Sequence, residues 1–205
     1  PIDDLAVAIV GTRSPTAAGA DLAADLAHCL VSCDFTVVSG LARGIDTAAH
    51  LGALERDGRT LAVLGSGLLN VTPPENQHLA ARIRRAGALI SELPPRAPAT
   101  VPNLMARNRL ISLLARAVIV VECRLTGGSL ATAEAALHQG RELYAVDWPT
   151  PRDENAGNRR LLQGGAQPLH GHHEISALCV HLRGFRHPAQ AASRVKAQGQ
   201  LGLFN

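Results

Sequence analysis

Six short apolar runs alternate with amphipathic stretches along most of this chain: Leu5–Val10, Phe35–Ser39, Thr60–Gly65, Ala88–Ser91, Ala117–Glu122 and Glu142–Asp147. Runs apolar at nearly every position suit strands covered on both faces rather than strands with one wet side. The stretches between them, at 15–33, 45–57, 75–86, 104–115 and 128–139, place apolar residues at helical spacing. Strand followed by helix, repeated, leads to right-handed crossovers and a mostly parallel sheet. The expected class is therefore α/β, a Rossmann-like doubly wound sheet. Ser14 before Pro15 reads as the N-cap of the first helix. Leu93–Pro102, with four prolines, reads as a loop. The pattern weakens after Pro168, so residues 1–170 read as the domain and 171–205 as a C-terminal extension ending in a flexible tail.

With only 2% aromatic residues, Ala, Leu, Val and Gly must build the core, which brings helices close to strands. A hydrophobic fraction of 46% and a net charge of +3 exclude disorder for most of the chain. No uncharged apolar run is long enough to span a bilayer, and no signal peptide is visible, so no membrane partner is expected. Cys29, Cys33, Cys123 and Cys179 lack metal-type spacing, and Cys29 and Cys33 fit a helical core pattern; a reduced, cytoplasmic protein is expected. The modest net charge hides an asymmetry, −5 over residues 1–81 and +6 over 82–124. Nearly every basic residue is Arg, whose planar fork suits phosphate, and an Arg-rich middle segment is compatible with nucleic acid as well as with a solvated face.

Ligands of open parallel sheets gather at the carboxyl ends of the strands. Four loops there carry small residues and donors: Gly11–Ser14, Ser39–Asp46, Gly65–Gly67 and Thr126–Ser129. Glycines allow backbone to approach a phosphate, and a following helix offers free N–H groups. Arg43, Arg107 and Arg109 add candidate charge-assisted contacts, and Arg107-Asn108-Arg109 reads as standing at or near a helix start. No G-x-G-x-x-G opens the first helix and no Gly-Lys-Ser/Thr P-loop is present, which argues against a nicotinamide enzyme and an ordinary P-loop ATPase. Asp46 and His50 read as helix-start and packing residues. His170, His172, His173 and Glu174 read as solvated, so no metal and no cofactor are expected.

Ala8–Thr12 (AIVGT), Val38–Asp46 (VSGLARGID) with Ala49-His50, Ala62–Gly67 (AVLGSG), Ile90–Glu92, Arg107–Ile111 (RNRLI), Val120–Thr132 (VVECRLTGGSLAT), Gly140-Arg141 and Gly165-Ala166 follow one another in the order found in the DNA-processing protein A (DprA/Smf) family. The chain resembles a short or divergent member of it. The resemblance implies an extended Rossmann fold, no enzymatic activity, single-stranded DNA as ligand, a homodimer, and help in loading a RecA-type recombinase during recombination or natural transformation. It implies nucleic-acid contacts at Ser39, Gly40, Arg43, Gly44, Arg107, Asn108, Arg109, Gly128, Ser129 and Thr132. An apolar patch of Leu161-Leu162 with the 174–180 stretch is the expected contribution to a dimer. This chain departs from the family at its aromatic-proline pair, here Leu104-Met105, and at its phosphate-facing Lys, here Thr126, with Trp148 and Arg159 as conceivable substitutes. Thr126–Glu134 partly resembles the motif of lysine-decarboxylase-like (LOG) phosphoribohydrolases, an alternative in which the chain binds a nucleotide or hydrolyses it with Glu134 as acid/base or ribose ligand. Finally, Gln200, Leu201, Leu203 and Phe204 resemble a bacterial sliding-clamp-binding motif.

Overall fold

Among the described residues the alternation resolves into seven strands, all parallel, and seven α-helices. The computed structural model describes residues 4–184. The strands are β1 (Ala6–Val10), β2 (Thr36–Ser39), β3 (Thr60–Val63), β4 (Ala88–Ile90), β5 (Ala117–Val120), β6 (Glu142–Val146) and β7 (Gln167–Leu169), in spatial order 4-3-2-1-5-6-7. The helices are α1 (Ala17–Ser32), α2 (Ile45–Glu55), α3 (Gln77–Ala86), α4 (Val101–Leu113), α5 (Gly128–His138), α6 (Ala156–Gln163) and α7 (Ile175–Gly184). The six strands expected from sequence are all present, and the fold class is the Rossmann-like one expected.

Side chains alternate across the sheet, so each strand feeds two cores. Val7, Ile9, Val37, Ile119 and Val146 face α1, α2 and α7, while Ala8, Val10, Val38, Val118 and Val120 face α4 and α5. Small residues set the helix–sheet distance: Ala23, Ala27, Ala49 and Ala53 on one face, Ala133 and Ala136 on the other. α3 covers the β3 end through Leu79, Ala80 and Ile83. The helices after β1 and β5 thus leave to opposite faces, and the boundary between these neighbouring strands is the topological switch point where such sheets open a crevice.

Four local expectations are corrected. The N-cap of α1 is Thr16, not Ser14: its Oγ1 accepts from Gly19 N at 3.0 Å and donates to Glu122 Oε1 at 2.6 Å. Arg107–Arg109 lies in the middle of α4, because Thr100 caps that helix and Pro102 sits in its first turn. Residues 172–184, read as extension, carry Ile175, Leu178, Cys179 and Leu182 into the same core as α1 and Phe35. Leu161 and Leu162 pack on the α4/α5 face whereas α7 packs on the other, so the two segments form no single apolar patch.

Asn158 of α6 fastens the carboxyl ends of β5 and β6. Its Oδ1 accepts from Cys123 N at 2.7 Å, and its Nδ2 donates to the carbonyls of Val120, Val121 and Val146 at 3.1, 2.8 and 3.1 Å. All of this is buried, and an abandoned buried backbone group costs about 1–3 kcal/mol. Asn158→Ala should therefore lose about 3 kcal/mol or more in urea unfolding; a loss below about 1 kcal/mol would show that water replaces the amide.

Candidate functional site

The loop after β2 is shaped from inside. Asp46, in the first turn of α2, accepts from Gly40 N at 3.1 Å and Ala42 N at 3.3 Å. Arg107 crosses from α4, and its Nη1 donates to Gly40 O at 2.7 Å and to Val63 O. A Cβ on residue 40 would press on that guanidinium and push it off the two carbonyls it bonds. Gly44, at φ 74°, turns the chain into α2 in a conformation that L side chains rarely adopt. Asn76 clips the loop from outside, donating to Leu41 O and Thr47 Oγ1, both at 2.9 Å.

Burial dominates the ionisation of this group. It raises the Asp46 carboxyl above its ordinary range, an effect that Arg107 and the loop N–H donors only partly offset. It pushes the Arg107 guanidinium down, against the pull of Asp46 and with a further push from Arg13. His50 is pushed to about 3 by burial and then by the Arg107 charge. Its Nδ1 donates to Thr60 Oγ1 at 2.7 Å, and that hydroxyl donates onward to Val37 O. His50 is thus a neutral packing residue, as the sequence suggested.

A crevice of about 340 Å³ opens at the switch point. Its polar side is formed by Thr12, Arg13, the buried Asp46–Arg107 pair and the first turn of α5; its apolar side by Val101, Leu104, Met105 and Ile111 of α4. Asn108 Nδ2 donates to Gly128 O at 3.0 Å, tying α4 to the start of α5. Thr132 Oγ1 adds a 3.3 Å bond to the same carbonyl. The N-terminal N–H groups of α5 at Gly128 and Ser129 then border the crevice, an arrangement suited to an anion.

The residues proposed from sequence therefore separate into three groups. Gly128, Ser129, Asn108 and Thr132 line the crevice directly. Ser39 is fully buried and donates to Ile9 O at 2.6 Å; with Gly40 and Gly44 it builds the scaffold beneath, while buried Arg107 both holds that scaffold and lines the crevice. Arg43 and Arg109 lie outside the crevice, exposed and paired with Glu75 and Glu92. Arg13 carries no individual signal in the sequence, yet it lines the crevice with no ion pair among the described residues. Arg124 lines it too, paired with Glu154 at 3.2 Å. Trp148 is half-buried and donates to Val121 O at 2.7 Å, so its ring is engaged in the structure. Glu134 is exposed on α5 and is not part of the crevice wall. Among the described residues, no three His, Cys, Asp or Glu side chains converge as a metal site, and no helix is long and apolar enough to cross a membrane.

The depressed His50 pKa sets a pH dependence. The unfolded chain binds a proton near 6.5 that the folded chain takes up only near 3, so this contribution to stability is full above 6.5 and is lost as pH falls toward 3. Asp46, shifted upward, acts in the opposite sense. Subtracting the stability curve of His50→Gln from that of the native sequence isolates the histidine, and should leave a difference declining by about 1.4 kcal/mol per unit below pH 6.5. A flat difference would place a charged His50 in the folded protein.

Known proteins resemble this chain in both sequence and fold. The family model described as DNA recombination-mediator protein A matches residues 2–179. The Smf protein of Escherichia coli is 41% identical over 161 residues, 78% of this chain and 43% of that protein. DNA processing protein DprA of Bacillus subtilis is 38% identical over 163 residues, 80% and 55% of the two chains. The chain spans about half the length of the curated relatives it matches. DprA from Streptococcus pneumoniae superposes with a TM-score of 0.77 at 35% identity, covering 85% of this chain and 62% of that one. DprA from Helicobacter pylori, in a structure described by its single-stranded DNA binding mode, superposes with a TM-score of 0.80 at 27% identity, covering 87% and 81%. The molybdenum cofactor carrier protein of Chlamydomonas reinhardtii, at 16% identity and a TM-score of 0.61, shares the fold. The segments SGLARGID, RNR and GSL thus stand in the setting the resemblance implied, and the chain belongs to the DNA recombination-mediator protein A family.

Proposed function

We propose that this chain binds single-stranded DNA in recombination and natural transformation, helps load a RecA-type recombinase onto it as a homodimer, and acts by binding rather than catalysis. One observation carries the reading: in a member of this family, the switch-point crevice joins a helix start suited to an anion, and an arginine with no ion pair among the described residues, to an apolar wall. A phosphate fits against the Gly128–Ser129 N–H groups and Arg13. A base fits against Val101 and Met105, of which Met105 is 46% exposed. The polarisable thioether takes the place of an aromatic platform, at lower affinity than full stacking would give. Arg13 and Arg124 supply positive charge where the family's Lys is replaced by Thr126. Arg43 is available at the rim, since an exposed ion pair such as its contact with Glu75 is held weakly.

Phosphate binding is read by salt. Arg13→Ala combined with Arg43→Ala should weaken binding to single-stranded DNA evenly across base sequences, and should flatten the log–log salt slope by about 0.7 for each phosphate no longer neutralised. Unchanged affinity in the folded double variant would remove this edge from the binding surface.

The clamp-like segment Gln200–Phe204 lies outside the described residues and stands on its sequence alone. Leu203 and Phe204 would fill an apolar pocket on a sliding clamp, with Gln200 bonding at the rim and Leu201 in a neighbouring subsite. Deleting residues 200–205 should abolish a micromolar interaction with the clamp while leaving DNA affinity unchanged. A peptide of residues 196–205 that shows no clamp binding at far higher concentration would end this part of the reading.

A further inference from the structure

Between Asn76 and Ser91 the chain carries Arg82, Arg84 and Arg85 and no acid. The acids that bracket this stretch are both engaged, Glu75 with Arg43 and Glu92 with Arg109. α3 buries Leu79, Ala80 and Ile83, so His78 and Arg85 fall on its outward face, with half-buried Arg82 on one flank. Arg84 is exposed on the other flank. Among the described residues none of these four side chains has a hydrogen bond or an ion pair. Arginines in the last turn do suit the negative end of a helix dipole. That accounts for Arg84 and Arg85, but not for Arg82 or for an outer face with no compensating carboxylate, where like charges repel.

The position of α3 gives the stripe a partner. Asn76, immediately before the helix, is bonded to the same 41–47 segment that brings Ala42 and Asp46 to the crevice. From that edge α3 descends alongside the sheet for about 15 Å, at 1.5 Å per residue. Arg43 and its exposed ion pair lie between the crevice loop and the helix start. We propose that the outward face of α3 is a second phosphate track, holding the backbone of the DNA strand that leaves the crevice past Arg43. The track rests on the crevice reading above and extends it from one subsite to a path. It is electrostatic and indifferent to base sequence, because arginines without neighbouring acceptors or aromatic platforms read phosphate and not bases.

The test is a length series with the full chain. The combined variant Arg82→Gln, Arg84→Gln, Arg85→Gln alters exposed or partly exposed side chains, and an unchanged Tm checks its fold. A single-stranded oligonucleotide of about five nucleotides, enough for one subsite, should bind variant and native protein alike. One about four times longer should bind the variant on the order of tenfold more weakly, with a log–log salt slope shallower by about 2, three phosphates at about 0.7 each. Equal affinity of variant and native protein for the long oligonucleotide would overturn the track while leaving the crevice reading intact. Native protein that binds neither length would overturn the crevice reading and the track with it.

Discussion

A buried guanidinium organises the carboxyl edge of this sheet. Arg107 enters from α4 and bonds the last carbonyls of two strand regions, at Gly40 and Val63, while Asp46 draws the intervening N–H groups toward it. Each member needs the others. Without Arg107 the Asp46 carboxylate would be a lone charge in the interior, and without Asp46 the guanidinium would be. A side chain at residue 40 would press on the arginine, and His50 stays neutral partly because of the arginine's charge. Two sequence segments more than sixty residues apart, SGLARGID and RNR, are thus halves of one internal contact.

This explains what could and could not be read from the chain. Strand positions were legible because a sheet covered on both faces needs unbroken apolar runs, as in AVAIV and AVIV. β7 was not, since Gln-Pro-Leu is three residues long with a proline, a composition that an edge strand tolerates. The choice between Ser14 and Thr16 as cap depended on Glu122, more than a hundred residues away and invisible to local pattern. The arginines show the same limit. Arg43, Arg107 and Arg109 look alike in sequence, and remote acceptors decide that one is structural and two are exposed. The glycines and polar residues opening α5 were legible because a helix start after a strand advertises its own chemistry.

The switch point is a property of the fold, which proteins with little sequence in common with this chain also adopt. What a given chain can hold there is set by the lining. Here the lining joins an arginine and helix N–H groups to aliphatic and thioether surface, a combination suited to a ligand that alternates charge with flat apolar rings.

Asn76 has a consequence beyond geometry. It ties the 41–47 loop to the start of α3 from one side while Asp46 and Arg107 tie it from the other, so the crevice wall is set before anything arrives. A ligand then meets no entropic cost of ordering this loop. Encounter becomes close to a rigid-body event, and ligands that fit well or badly should differ mainly in how long they stay.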